Sequence, residues 1–321
     1  MPRYLMQRLL AFVPTLLGIS ILVFISLRLI PGNAITATLG TEAGMLTPAQ
    51  RAALERYYGL DRPHLEQYFN WIGEAVRGNL GISVRHGKPV LEVIWDRFPL
   101  TFQLALMSVL IALLIGIPLG LLSAVYHNSI IDLCGRLFAL IGLALPNFLV
   151  GTLIIYFLSV WFGVLPNAGD FTRFTDDPIK NLGQMIFPAF TLGFSFASSL
   201  MRMTRSAMLE VLGEDYVRTA RSKGLRERMV IRRHALRNSL IPVVTLIGVE
   251  IGYLLGGTFI VEFLFSLPGI GRLTVNGIQQ RDYALVQGVT MFIAFNFVLV
   301  NLMVDLIYAA VDPRISYKHH A

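Results

Sequence analysis

Cysteine is nearly absent. Only Cys134 carries a thiol in 321 residues, so no intrachain disulfide can staple the fold and no thiolate cluster can hold a metal. Its place near the start of an apolar run predicts a small buried side chain. Charge is scarce as well: Lys, Arg, Asp and Glu make up 15% of the chain against 55% for hydrophobic residues, a balance that belongs to membrane proteins. His319 and His320 stand side by side near the end, two metal ligands without the others a site needs. No HExxH, GxSxG or paired intramembrane Asp occurs, which removes the usual machinery of a membrane-embedded enzyme. Gly81 to Lys88 comes nearest to a phosphate-binding loop, but five residues separate its glycines where four are needed. Pro89 stands where Ser or Thr would bind magnesium. Any nucleotide that drives this chain is expected on another subunit, and no cofactor is expected on this one.

What fills the chain is long apolar runs, which predict an all-α integral membrane fold with six spans. The first covers residues 9–30 within a segment 1–30; its length and the lack of a small-residue cleavage site predict an uncleaved anchor. Residues 31–99 form a long polar loop with amphipathic helices expected near 48–58 and 65–76, separated by GLDRP and followed by the turn-rich GNLGISVRHGKP. A core of five spans follows over 100–313: about 100–126, 137–162 interrupted at Pro146, 184–208, 240–261 and 286–311. A polar tail, 314–321, ends the chain.

Charge orients the spans. Ten Lys or Arg fall between Arg202 and Arg237, and the loop 209–239 joins the fourth span to the fifth. Short loops rich in Lys and Arg stay in the cytosol, which puts both termini inside and the 31–99 loop outside. The net charge of +7 lies mostly here, so it speaks for orientation and partner docking and not for nucleic acid. This loop has internal architecture. Glu214 and Asp215 suit a helix N-terminus, and Gly224 suits its end, predicting a short helix over Tyr216 to Lys223. Tyr216, Thr219 and Ala220 share a face by their i, i+3, i+4 spacing, while Arg218 and Arg221 point elsewhere. Such a helix is either a docking element for a soluble partner or a topological anchor.

Small residues predict close helix contacts. Gly116 and Gly120 form a Gly-xxx-Gly pair around Pro118, and Gly248, Gly252 and Gly256 form a stripe at i+4 spacing. Glu250 lies roughly 200° from that stripe and should not face lipid, so it either lines a path or sits in a static packing contact. Asn301 and Asp305 share a face of the last span, where a pathway role competes with simple access to the interface. The loop before that span carries Pro268, Gly269 and Gly271 in a tight turn, followed by Arg281 and Asp282 at ion-pair spacing.

The stretch YVRTARSKGL followed by RHALRNSLIPVVT resembles the cytoplasmic loop of ABC-importer permeases of the dipeptide and oligopeptide (peptide, nickel, glutathione) family. Against the general form of that loop, Arg218, Thr219 and Ala220 occupy the Glu-Ala-Ala places and Gly224 and Leu236 match, while His234 stands for Ile and Arg237 for Pro. PGN after the first span, GLD-P, FSLPGIGRL and QQRDYALVQG resemble the peptide family too. The resemblance covers nearly the whole chain and is strongest over 201–313. It implies a bacterial inner-membrane importer in which this chain pairs with a second homologous permease, as a heterodimer. Two cytoplasmic ATPases would bind ATP and Mg, and an external solute-binding protein would deliver a dipeptide or short peptide, with glutathione next and a nickel complex or an oligosaccharide as further alternatives. The coupling helix would then comprise Glu214, Asp215, Tyr216, Arg218, Thr219, Ala220, Arg221, Lys223, Gly224 and Leu225. A proton-driven transporter working through Glu250 and Asp305 is the rival from another class.

Overall fold

In the computed structural model, residues 2–29, 35, 39, 44–57, 59–166, 171–256 and 258–311 are described. Asp170, Gly257 and the tail with His319 and His320 lie outside these. Among the described residues the fold is helical, with one isolated bridge between Ile82 and Pro89. The helices are α1 (Pro2–Leu29), α2 (Pro48–Tyr57), α3 (His64–Val76), α4 (Val90–Val125), α5 (Ile130–Ala144), α6 (Asn147–Phe162), α7 (Pro178–Leu212) and α8 (Asp215–Ser222). They continue as α9 (Glu227–Leu255), α10 (Phe259–Leu264), α11 (Ile270–Gln279) and α12 (Tyr283–Val311).

Five of these are long and apolar enough to cross a membrane, and α5 with α6 make a sixth crossing if the pair, bent by 100° at Leu145 and Pro146, counts as one. The bend has a local cause: Pro146 has no N–H to give to the helix that precedes it, and it starts the next one. Leu10, Leu140, Phe157, Trp161 and Tyr253 are among the large apolar side chains left exposed, the surface of a protein solvated by lipid or by other apolar helices.

The centre is the parallel pair α4 and α7, in register from Gln103 beside Asn181 to Gly120 beside Met201. Small residues set their distance: a Cβ on Gly116 would lie 2.7 Å from the Ala197 carbonyl oxygen, and one on Gly120 would lie 2.7 Å from that of Met201. Gly193 of α7 returns the contact on the Ser108 carbonyl oxygen at 2.9 Å. Close backbone approach of this kind replaces the hydrophobic drive that is missing in lipid with dispersion. Leu104, Ala112, Ala189, Phe196 and Leu200 fill the seam, and Val243 and Leu254 of α9 close over it. A Cβ on Gly248 would run into Val304, one on Gly252 would lie 3.0 Å from the Phe297 ring and one on Gly256 3.6 Å from Ile293, so that stripe faces α12.

Several boundaries differ from the sequence expectation. The second span begins at Val90 and runs through Pro99, because Val90, Val93 and Ile94 are buried against Ile270, Leu273 and Leu285 and hold the first turns in place. The fourth begins at Pro178, capped by the Asp177 carboxylate accepting from the Lys180 N–H. The fifth stops at Leu255, and Phe259–Leu264 form a separate helix. Cys134 is exposed, not buried: α5 turns Gly135 and Asp132 inward, which leaves the thiol on its outer face.

The outer loop docks on the first span. Ser20 and Tyr68 share a hydrogen bond of 2.8 Å, Arg28 lies over the Phe24 ring, and Phe24 stacks with Trp71. At the other end of the bundle α9 contains a π turn, Val230–Ala235, just before it enters the apolar layer.

Candidate functional site

The α7–α8–α9 hairpin projects from one end of the bundle. Glu214 occupies the N-cap of α8 with its side chain out of the cap, Lys223 the C-cap, and Gly224 takes φ +76°, the left-handed geometry that lets the chain reverse. Val217 and Ala220 are buried against Val230, with Val211 and Leu212 beside them. The helix therefore spends its apolar stripe inside its own hairpin. The face predicted from spacing divides: Ala220 turns in and Val217 joins it. Tyr216 and Thr219 stay out with Asp215, Arg218 and Leu225.

Two contacts stiffen the turn. Arg221 grips Glu227 bidentately across Gly224, Nε to Oε2 at 3.1 Å and Nη2 to Oε1 at 2.7 Å. Asn238 Nδ2 donates to the Tyr216 hydroxyl at 2.8 Å, tying α8 to α9 beyond the π turn. Arg218 reaches Asp215 only at 3.6 Å, and both are exposed. What remains on the outside is a polar, mostly cationic ridge on a rigid short helix.

The hairpin is anchored to the bundle by a buried ion pair that sequence reasoning missed. Asp132 of α5 is fully buried and receives Arg205 of α7 through Nε at 2.6 Å and Nη2 at 2.9 Å. Ser123 of α4 donates to the same carboxylate, and the Asn128 N–H adds a fourth donor at 3.1 Å. Three helices thus meet on one carboxylate, two turns before α7 gives way to α8. The only local signal was Ser129 three residues before Asp132, a helix-start pattern that the structure realises as a cap.

At the opposite end, two more buried carboxylates hold the fold without a cation. Glu262 of α10 accepts from the Thr101 hydroxyl at 3.0 Å, and its other oxygen accepts from the Arg272 N–H at 2.8 Å. Thr101 in turn accepts from the Ile270 N–H at 2.9 Å. The carboxylate thus caps α11 from a neighbouring helix, a placement the helix dipole favours. It also explains the turn at Pro268, Gly269 and Gly271: a Cβ on Gly269 would run into the Glu262 carboxyl group, and one on Gly271 would sit 2.7 Å from the Phe259 backbone nitrogen. Burial nevertheless raises the Glu262 carboxyl above its ordinary range, with the donors only partly offsetting it. Asp282 is the second. It does not pair with Arg281; it accepts from the Ser83 hydroxyl at 2.6 Å, the Arg85 N–H at 3.2 Å and the Leu285 N–H at 3.1 Å. That fixes the 81–88 hairpin to the start of α12.

Glu250 is half-buried on the side of α9 away from the glycine stripe, with no hydrogen-bond partner among the described residues. Asn301 is half-buried on α12, and the Asp305 side chain lies outside the described set. The structure does not bring these three onto one described site.

A polytopic helical bundle that carries a stiffened hairpin at one end, and whose buried acids serve as structural joints, has the architecture of an integral membrane subunit. The family model for the binding-protein-dependent transport system inner membrane component matches residues 116–317, and the model for the N-terminal part of such components matches residues 1–105. The chain belongs to this family. It is 42% identical over 319 residues to the oligopeptide transport system permease protein AppB of Bacillus subtilis, covering 99% of this chain and all of that one. Over 340 residues it is 40% identical to the dipeptide transport system permease protein DppB of Escherichia coli, covering 99% of this chain and all of the other. The glutathione transport system permease protein GsiC of Pectobacterium atrosepticum is 39% identical over 318 residues, again 99% and 100%. Among solved structures, the inward-facing MetNI methionine ABC transporter shares the fold with a TM-score of 0.55 at 19% identity, covering 69% of this chain and 97% of that one.

Proposed function

We propose that this chain is a permease subunit of an ATP-binding-cassette importer for short peptides. It works with a second homologous permease as a heterodimer, two cytoplasmic ATPases that bind ATP and Mg, and an external solute-binding protein. Both termini and α8 lie on the cytoplasmic side of the inner membrane, as the arginine-rich loop requires. The names of the relatives favour di- or oligopeptides, with glutathione the next substrate in line. Glu250 and Asn301 face the pathway or the second permease, the two surroundings that keep a polar group on a span out of lipid.

The observation that carries this reading is the construction of α8. A helix meant only as a topological anchor would not need its stripe buried on Val230, its turn clamped by Arg221 and Glu227, and its root fixed by Asp132 and Arg205. A lever needs all three, because motion imposed on the exposed ridge of Asp215, Arg218 and Thr219 must reach α7 and α9 without dissipating in a loop. The two packings that such a lever selects are what nucleotide binding can bias.

The test is ATP-driven uptake of a labelled dipeptide into vesicles that hold the reconstituted complex, comparing the native chain with Gly224→Val and Arg218→Glu combined. Assembly with lost uptake, and an ATPase that no longer responds to the loaded binding protein, is the expected result. Uptake that ignores ATP and follows an imposed proton gradient would overturn the assignment.

A further inference from the structure

At the end of the bundle opposite α8 lies a cleft of about 740 Å³. Its walls come from three places in the chain: Arg85 and His86 on the 81–88 hairpin, Arg97 on α4, and Arg272, Asn276 and Gln280 on α11, with Pro268 and Gly269 beside them. Arg272 and Asn276 lie four residues apart on one face of α11, and Gln280, the residue that caps its end, follows at the same spacing. The arginines at the α8 end are accounted for by orientation. These are not: they sit on the outer side in the orientation proposed above, where the charge rule asks for nothing.

Among the described residues, the nearby acids form no ion pair with Arg97 or Arg272. Asp282 and Glu262 are buried and taken up by hydroxyl and backbone N–H donors, and Glu92 is held by Lys88 at 2.6 Å. The mounting is rigid, since Asp282 pins the hairpin and Glu262 caps α11, so the cationic groups are presented on fixed elements and not on loose loops. A guanidinium fork suits a carboxylate, and the side-chain amides of Asn276 and Gln280 suit an adjacent peptide group, donor to carbonyl and acceptor to N–H. The volume falls within the range of small-ligand sites and is concave, unlike a flat docking face.

We propose that this cleft binds the free carboxylate end of a short peptide, with Arg97 and Arg272 holding the carboxylate and Asn276 and Gln280 the neighbouring amide. The proposal rests on the importer reading and deepens it: the permease itself, and not the delivering protein alone, recognises a peptide terminus before the substrate enters the membrane.

The probe is dialanine against dialanine amide, titrated by saturation-transfer NMR onto the assembled transporter in nanodiscs without the binding protein. The free acid is expected to bind at least 10-fold more tightly than the amide. Arg97→Gln with Arg272→Gln should erase that preference and leave amide binding unchanged, while Arg97→Lys with Arg272→Lys should keep part of it. Equal binding of acid and amide by the native complex, or a preference that survives the double Gln variant, overturns the proposal. So does a double variant that weakens docking of the binding protein while leaving the acid preference intact, which would make the cleft a docking surface. ATP-driven dipeptide uptake, measured on the same preparations, separates the two readings: uptake without an acid preference removes the cleft assignment alone, and an acid preference without ATP-driven uptake removes the importer assignment alone.

Discussion

The two ends of the bundle solve the same problem in opposite ways. At the α8 end the buried carboxylate, Asp132, is matched by a guanidinium. At the other end Glu262 and Asp282 are matched by hydroxyls and backbone N–H groups, and Gln103 and Asn181 link α4 to α7 there by amide contact alone. A charged pair resists separation because either partner left behind is an unpaired buried charge. A carboxylate held by neutral donors keeps helices in register, and burial raises the one on Glu262 above its ordinary range. In the function proposed above, the charged end is the one that transmits force and the neutral end the one that holds a shape.

The comparison breaks most visibly at the ion pair. Asp132→Ala or Arg205→Ala should each cost about 3–5 kcal/mol, because a buried charge loses its partner, and the double variant should cost less than the two added together. Thermal unfolding of the four proteins in detergent checks this, and simple additivity would mean that the pair is no joint. Next in size is Gly271→Ala, expected to destabilise by about 1–3 kcal/mol, because the new Cβ meets the Phe259 backbone and presses on Glu262. Loss should show as a lower midpoint in the same melt.

A smaller effect should appear only as pH dependence. Glu262 has a folded pKa raised by burial, so the stability that its proton lends is full below the ordinary carboxyl value of 4.5 and fades as pH rises through the folded value. Glu262→Gln cannot titrate. Its melting temperature should lack the decline that the native chain shows across that window, and parallel curves would remove the carboxyl from the account. Smallest of all is Arg221→Ala. Both partners of that pair are exposed, so stability should change by less than about 1 kcal/mol while ATP-coupled uptake falls. Uptake at the native level would show that the clamp across Gly224 is idle.

The comparison also marks what could be read from the sequence. The spans, the arginine loop and the break at Gly224 follow from local patterns, apolar run length, charge and φ preference, and they are legible without partners. Pro99 read as a boundary because proline removes a helix bond; burial of Val90, Val93 and Ile94 on α11 and α12 outweighs that loss. The buried joints were invisible for another reason. Glu262 finds Thr101 161 residues away, and Asp282 finds Ser83 at a separation of 199, so no window along the chain contains the pair. Arg281 and Asp282 looked like an ion pair because they are neighbours in sequence; successive residues do not face one another, and Asp282 turned inward. Position on a face, not proximity in the chain, decided each case.

The π turn at Val230–Ala235 carries a further consequence. A π turn holds one residue more than the α turn it replaces, and each residue of a helix advances the phase by about 100°. The part of α9 that faces α8 and the part that crosses the bilayer are therefore indexed independently, although they form one continuous rod. Val230 can lie on Val217 while Gly248 and Gly252 keep their seats on α12, two alignments that a uniform helix could not satisfy together. The extra residue works as the offset between two scales, setting one end of the rod against the other.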